Sequence, residues 1–225
     1  MAEIKIYPTK QLVAENFSVF FKKLITNKEA FHVALSGGST PKIVFDDLAT
    51  HFADDIDWSK ILLYWGDERC VPPTDSESNY KMTLQHLLSK ISIPEENIFR
   101  ILGENNPKQE AKRYSTILDE NLPTKYDIPK FDLVILGMGD DGHTASIFPH
   151  EIDIWHSKAN CEVAIHPDSA QNRIAFLVTG PTKAEKVKEI IKEIVGYKNY
   201  PATLVNPTSG ELIWFLDSEA AKEIC

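Results

Sequence analysis

The sequence has few cysteines and no long apolar segment. Cys70, Cys161 and Cys225 are widely separated and share no paired spacing, which is typical of a reducing compartment and argues against a zinc site built from thiolates. No apolar run approaches the ~20 residues that a bilayer-spanning helix needs, and residues 1–10 lack the basic, apolar and small-residue order of a signal peptide. We therefore expect a cytoplasmic protein without a membrane segment.

Positive charge is also scarce. The chain carries 24 Lys and Arg against 33 Asp and Glu, which gives a net charge of -9. Nucleic acids and membrane surfaces are polyanions that need a basic face, so we expect neither as a partner. A small anionic ligand stays open, because a few local cations can override the global field. With 225 residues, 43% of them hydrophobic, the chain should fold as one domain over 1–225, and we expect a monomer.

Short apolar segments alternate with longer amphipathic ones. Runs such as LVIL and IAFLV lack polar alternation, as is typical of strands covered on both faces. This order predicts an α/β fold with a mostly parallel, doubly wound, Rossmann-like sheet flanked by helices. The predicted strands are EIKIY, FHVALS, ILLYWG, NIFRI, FDLVILG, CEVAIH, RIAFLVT and ELIWFL, and the predicted helices are 10–27, 41–50, 79–90, 107–121 and 182–195, with a short one after Asp217. Ligands of such sheets bind beyond the carboxyl ends of the strands, so the residues after each strand are the informative ones.

The first informative loop, SGGSTP at 36–41, lies between the strand FHVAL and a predicted helix. Its paired glycines allow a tight turn, and its hydroxyl and N–H groups face a helix N-terminus, where an anion is favoured. This pattern predicts a phosphate site. A simple helix cap by Ser39 or Thr40, with Pro41 in the first turn, is the open alternative.

The second loop, WGDERCVP at 65–72, follows the strand ILLY. It places Asp67, Glu68 and Arg69 at the carboxyl edge of the predicted sheet. An arginine fork there can bind a phosphate through two hydrogen bonds while an acid orients a neighbour. Ordinary surface charge at a strand end is the alternative, and we favour a functional role because loops held by a rigid strand carry many binding sites.

The third loop, GMGDDGHTAS at 137–146, follows FDLVIL. It contains a formal Gly-x-Gly-x-x-Gly, but Asp140 and Asp141 would repel the pyrophosphate of a dinucleotide, so we reject that interpretation. Its glycines instead allow a turn that presents His143 to the cleft as a general base, with an aspartate near enough to fix its tautomer. The sequence has neither a His-Glu-x-x-His zinc motif nor a Gly-x-Ser-x-Gly elbow, so we expect no metal, no other cofactor and no covalent nucleophile.

Together, SGGSTP, WGDERCVP with the following SESNY, GMGDDGHTASIFP, the arginine that opens RIAFLVTG and a late YPATLV resemble the 6-phosphogluconolactonase family. The resemblance implies a fold shared with the glucosamine-6-phosphate deaminases. Those enzymes carry Asp-Glu-Tyr in the second loop and Asn-Glu-Pro after the histidine. This chain has Asp-Glu-Arg at 67–69 and Ser-Ile-Phe-Pro at 146–149, so it lacks the acid that deamination requires.

The activity implied by the resemblance is that of a carboxylic ester hydrolase of the oxidative pentose phosphate pathway, which converts 6-phospho-D-glucono-1,5-lactone to 6-phospho-D-gluconate. A deaminase or isomerase and a non-catalytic sugar-phosphate binder are the alternatives. By resemblance His143 is the general base, Arg173 lies near the lactone, and Asp67 and Asp141 are orienting acids. The implied phosphate-binding residues are Gly37, Gly38, Ser39, Thr40 and Arg69, with Lys183 as an additional contact.

Overall fold

The computed structural model describes residues 2–125, 128–156, 161, 173–207 and 210–225. Within them, seven strands form one parallel sheet in the order β1-β9-β8-β7-β2-β3-β4, and two short strands, β5 and β6, form a separate antiparallel pair. This architecture confirms the predicted fold class. The strands are β1 (Glu3–Tyr7), β2 (Phe31–Leu35), β3 (Ile61–Trp65), β4 (Ile98–Phe99), β5 (Thr124–Lys125), β6 (Ile128–Pro129), β7 (Leu133–Leu136), β8 (Arg173–Val178) and β9 (Glu211–Asp217).

The helices are α1 (Lys10–Ile25), α2 (Ser39–His51), α3 (Asn79–His86), α4 (Pro107–Asn121), α5 (Ala184–Ile191), α6 (Pro201–Leu204) and α7 (Ser218–Ala221). Helix α4 has the predicted bounds, because the Asn106 side chain caps it and Pro107 suits its first turn. Helix α3 is shorter than predicted, since Leu87 leaves the helical region (φ -132°, ψ -66°) and a 3-10 turn follows. None of the described helices is both long and apolar enough to cross a membrane.

Alternate residues of the central strands enter two separate hydrophobic cores, one on each face of the sheet. In β7, Leu133 and Ile135 pack with α1 and α2, whereas Val134 and Leu136 pack with α4 and α5. Because both faces are buried, the strand has no polar position, which explains the continuous apolar run LVIL.

The direction in which the chain adds strands reverses between β2 and β7. From β2 the sheet grows through β3 to β4, and from β7 it grows the other way through β8 to β9. At such a reversal of strand order, the loops that leave the two neighbouring strands run in opposite directions. A crevice opens between them at the carboxyl edge of the sheet, and ligands bind there. The predicted strand CEVAIH lies, apart from Cys161, outside the described residues.

Candidate active site

A cavity of about 730 Å³ lies at this carboxyl edge. Its walls are the loops that follow β2, β3, β7 and β8, together with residues of the segment 101–111. The three loops singled out in the sequence therefore meet in one place. Among the predicted site residues, those that line the cavity are Gly37, Gly38, Ser39, Thr40, Asp67, Arg69, His143 and Lys183.

The loop after β2 delivers the N-terminus of α2 to this cavity. Gly38, with φ of 108°, precedes the helix, and no side chain caps the first turn. The structure therefore does not show the alternative of a simple cap by Ser39 or Thr40. The Thr40 hydroxyl instead lies 2.9 Å from that of Thr179 and ties this loop to the loop after β8. Uncapped N–H groups at a helix N-terminus favour an anion.

His143 and Asp141 form a close pair on the loop after β7. Nδ1 of His143 lies 2.6 Å from Oδ1 of Asp141, and the His143 backbone N–H donates to the same oxygen over 3.1 Å. Partial burial opposes ionisation of Asp141, but these hydrogen bonds outweigh it and lower the pKa of the carboxyl. An ionised Asp141 accepts a hydrogen bond from the Nδ1–H group of His143, which leaves Nε2 of the imidazole unprotonated and free to act as a base.

A glycine is required beside this pair. A Cβ atom at Gly139 would lie 2.1 Å from Nδ1 of His143, so any other residue would displace the ring. The ring of Phe148 packs against the imidazole, with the two ring centroids 4.6 Å apart. The imidazole is thus fixed by Asp141, Gly139 and Phe148, while 32% of the side chain stays exposed toward the cavity.

The chain turns sharply directly after the histidine. Ala145 and Ser146 have φ of 48° and 60°, and the Ile147 N–H donates to the Thr144 carbonyl over 2.9 Å. Left-handed backbone is costly for residues with a Cβ, by roughly 1–2 kcal/mol each. The turn directs the Ser146 hydroxyl to Oδ2 of Asp67, 2.5 Å away. Asp67 therefore contacts Ser146 and Asp141 contacts His143, so the two predicted orienting acids have different partners.

The two cations of the cavity differ in their environment. Arg69 is exposed, and within the described part of the chain its guanidinium has no ion-pair partner. Its loop is held by Glu68, which accepts hydrogen bonds from the backbone N–H groups of Asn79 and Tyr80, each over 2.8 Å. A free guanidinium on an anchored loop suits an incoming anion.

Lys183, in contrast, already forms an ion pair with Asp140. The Thr182 hydroxyl donates to the same carboxylate over 2.9 Å, and the hydrogen bonds from Lys183 and Thr182 lower the pKa of Asp140. Lys183 is thereby tied to the loop that carries His143. An anion that binds Lys183 must share it with Asp140.

Arg173 is not placed as predicted. It is the first residue of β8, at the amino end of a six-residue strand, whereas the cavity lies at the carboxyl end. At about 3.3 Å per residue the strand separates the two by roughly 17 Å. Its guanidinium Nε donates to Glu211 over 2.9 Å, and Arg173 is absent from the described residues that line the cavity. The structure thus places Arg173 at the amino edge of the sheet, away from the described cavity, and its position near the lactone stays a prediction.

Several residues of the site were not predicted individually. Asn79 donates from its amide to the Asp67 carbonyl over 3.0 Å, Thr144 donates to the Gly137 carbonyl over 2.8 Å, and Tyr200 packs on Gly142. Asn79 and Tyr200 belong to the SESNY and YPATLV segments, so the motifs indicated them without indicating a role. Phe148 gave no signal in the sequence as a partner of His143.

No group of three or more His, Cys, Asp or Glu residues in the described ranges is arranged to hold a metal ion. The residues available for chemistry are a histidine–aspartate pair and, in the same cavity, a helix N-terminus with an arginine. This combination defines an α/β enzyme that binds a small anionic molecule and activates a nucleophile in one cavity.

Comparison with known proteins identifies the family. The family model for glucosamine-6-phosphate isomerases/6-phosphogluconolactonase matches residues 9–214. A 6-phosphogluconolactonase of Haemophilus influenzae is 39% identical over 96% of this chain and 97% of its own, and one of Treponema pallidum is 46% identical over 71% and 66%. A crystal structure of devB protein, 41% identical, covers 100% of both chains with a TM-score of 0.92. The chain belongs to the glucosamine-6-phosphate isomerase/6-phosphogluconolactonase family.

Proposed function

We propose that the protein is a carboxylic ester hydrolase that converts 6-phospho-D-glucono-1,5-lactone to 6-phospho-D-gluconate in the oxidative pentose phosphate pathway. The observation that carries the proposal is the His143–Asp141 pair, 2.6 Å apart, in the same cavity as the uncapped N-terminus of α2. The relatives that match most of the chain are named 6-phosphogluconolactonase, which supports the same activity.

In this proposal the phosphate binds at one end of the cavity. Its contacts are the residues 37–40 and the guanidinium of Arg69, which combine helix N–H groups with an exposed cation. Anchoring the phosphate holds the lactone carbonyl against the base, so binding at one end contributes to orientation at the other.

His143 acts at the carbonyl end. Its Nε2 removes a proton from a water molecule while the water oxygen attacks the lactone carbonyl carbon, and the carbonyl oxygen becomes an oxyanion. The bond from that carbon to the ring oxygen then breaks, and the protonated imidazole returns its proton to the ring oxygen. Asp141 keeps the imidazole in the required tautomer and stabilises its charged form, as an acid beside a catalytic histidine does.

Arg173 was expected near the lactone, but it lies at the amino edge of the sheet, so this proposal gives it no part in stabilising the oxyanion. Lys183 takes one of two roles, as a second phosphate contact or as the oxyanion partner. Lys183→Met distinguishes them: a higher KM with unchanged kcat assigns it to the phosphate, and a loss in kcat alone assigns it to the oxyanion.

The contact between Phe148 and His143 favours hydrolysis over deamination. In the deaminases that the sequence resembles, the Asn-Glu-Pro segment after the histidine contains an acid. In this chain the corresponding segment contains Phe148, whose ring centroid lies 4.6 Å from that of the His143 imidazole. An apolar ring cannot exchange protons with an amino sugar.

The direct test uses purified protein and freshly generated 6-phosphogluconolactone, with spontaneous opening subtracted. We expect rapid hydrolysis, and no ammonia from glucosamine-6-phosphate. Ammonia release would instead support the deaminase, and tight binding of 6-phosphogluconate without turnover of either substrate would support a sugar-phosphate binder.

A further inference from the structure

The ring of Tyr200 lies against the loop that carries the catalytic histidine. Gly142, directly before His143, has φ of 83°, and a Cβ atom built on it would lie 2.8 Å from Cβ, Cγ and Cδ1 of Tyr200. The ring therefore occupies the space that a side chain at position 142 would need. Tyr200 is not among the described residues that line the cavity, so it touches the loop from behind.

The main chain next to Tyr200 holds the same glycine. The Ala202 N–H donates to the Gly142 carbonyl over 3.2 Å, and Pro201 and Ala202, at the start of α6, are both buried. A packed ring and a backbone hydrogen bond thus act on one residue. That residue precedes His143 by one position and follows Asp141 by one.

Tyr200 is itself held in place by charged neighbours. Nζ of Lys186 donates to the Tyr200 hydroxyl over 3.1 Å and to Glu189 over 2.8 Å. Lys186 and Glu189 lie on α5, and their side chains are only 20% and 23% exposed. Tyr200 therefore connects a rigid helix to the catalytic loop, as supports of a catalytic group generally do.

We propose that Tyr200 is a positioning residue that holds Gly142 and thereby keeps the His143 imidazole on Asp141 and directed at the substrate carbonyl. The inference rests on the proposed lactonase function for its kinetic consequence, whereas the geometry of the His143–Asp141 pair is measurable without turnover. It also gives a role to the YPATLV segment, which the phosphate and base sites do not explain.

The test compares three variants at a temperature well below their melting points. Tyr200→Ala removes the ring and should lower kcat by about 10–100-fold, because misplacement by ~1 Å costs about 100-fold. Its KM should change little, since the phosphate contacts lie on other loops. Tyr200→Phe keeps the ring on Gly142 and the contact of Lys186 with the ring face, 4.7 Å from the centroid, so it should retain nearly native kcat. Tyr197→Ala is the matched control, because this neighbouring tyrosine contacts Lys198 at the surface.

A second readout follows the imidazole itself by ¹⁵N NMR. The Nδ1–H signal of His143, hydrogen-bonded to Asp141, should broaden and exchange faster in Tyr200→Ala but not in Tyr200→Phe or Tyr197→Ala. A Tyr200→Ala protein with a lower melting temperature, native kcat and an unchanged Nδ1–H signal would show a purely structural role and overturn the proposal.

Two further outcomes have separate meanings. If Tyr200→Ala does not fold, Tyr200→Leu keeps apolar volume without the flat ring, and it should show the same loss of kcat and the same change in the His143 signal; native values would again overturn the proposal. If the wild-type protein does not hydrolyse the lactone, the proposed function fails, and the NMR comparison still decides whether Tyr200 positions His143.

Discussion

The Ser146 hydroxyl donates a 2.5 Å hydrogen bond to the carboxylate of Asp67, from a residue whose φ is 60°. The bond joins the loop after β7 to the loop after β3, so it connects the base side of the cavity to the side that carries Arg69. Unfavourable backbone at such a position is held by the surrounding contacts. The turn after His143 thus places Ser146 within hydrogen-bond distance of Asp67.

Replacement of Ser146 separates the strain from the hydrogen bond. Ser146→Ala and Ser146→Gly both remove the hydroxyl and with it the hydrogen bond to Asp67. Only glycine relieves the left-handed backbone, and we expect Ser146→Gly to be more stable than Ser146→Ala by about 1 kcal/mol in urea unfolding. Equal stability of the two variants would show that the turn relaxes and stores no strain.

The positions of the loops were predictable from the sequence because they depend on strand order. Once LVIL and FHVAL are buried parallel strands, their carboxyl ends must lie at one edge, and the residues that follow them must meet there. The side-chain partners within that edge were less predictable. Two acids, Asp67 and Asp141, were candidates to orient His143. The left-handed backbone after the histidine brings the Ser146 hydroxyl to Asp67, and the sequence did not indicate this contact.

The position of Arg173 was not predictable for a different reason. A motif shows which residues are neighbours along the chain, but it does not show at which end of the sheet each one lies. The first and last residues of the six-residue strand β8 lie at opposite ends of the strand, and Arg173 is the first. The strand direction alone would have excluded Arg173, since ligands bind at the carboxyl ends. The expectations of one domain and of a metal-independent reaction stay predictions.

Replacement of His143 tests the general base. His143→Gln removes the proton acceptor but keeps a polar side chain, so kcat should fall by roughly 10²–10⁴-fold with little change in KM. His150→Gln is the matched control, because His150 is exposed and stacks on the same Phe148 with ring centroids 5.6 Å apart. Steady-state kinetics with spontaneous lactone opening subtracted measure both. Native kcat in His143→Gln would assign the base to an acid such as Asp67.

Glu110 should make stability depend on pH. It is buried, and although burial opposes its ionisation, hydrogen bonds from Arg113, the Leu102 N–H and Asn105 outweigh it and lower the pKa of the carboxyl. A depressed pKa in the folded state adds stability above the unfolded value of about 4.3, and this contribution is lost as the pH falls through the folded pKa. Glu110→Gln should therefore cost about 1–3 kcal/mol at neutral pH, with the difference from wild type shrinking below about pH 4.

Urea unfolding from about pH 3 to about pH 7 measures this effect, because this pH range spans the titration of carboxyl groups. Glu120→Gln is the matched control, since Glu120 lies on the same helix and is exposed. Its unfolding free energy should follow that of the wild type at every pH. A Glu110→Gln difference that stays constant into acid would mean that the neutral amide, not the lost charge, causes the instability.

Arg69 and Arg173 provide the sharpest contrast, because the same substitution is made at the two edges of one sheet. Arg69→Ala removes the exposed guanidinium at the cavity, which has no ion-pair partner among the described residues. KM for the lactone should therefore rise, by about 10-fold or more for a lost charged hydrogen bond, while kcat should fall only as far as a misplaced substrate shifts the carbonyl. Arg173→Ala removes an exposed ion pair with Glu211, which is worth ~0–1 kcal/mol of stability, and should leave both kinetic constants unchanged.

Inorganic phosphate, as a competitive inhibitor, adds a second measurement: its inhibition constant should rise in Arg69→Ala only. A kinetic defect in Arg173→Ala comparable to that of Arg69→Ala would contradict the placement of this arginine at the amino edge of the sheet and return it to the substrate site.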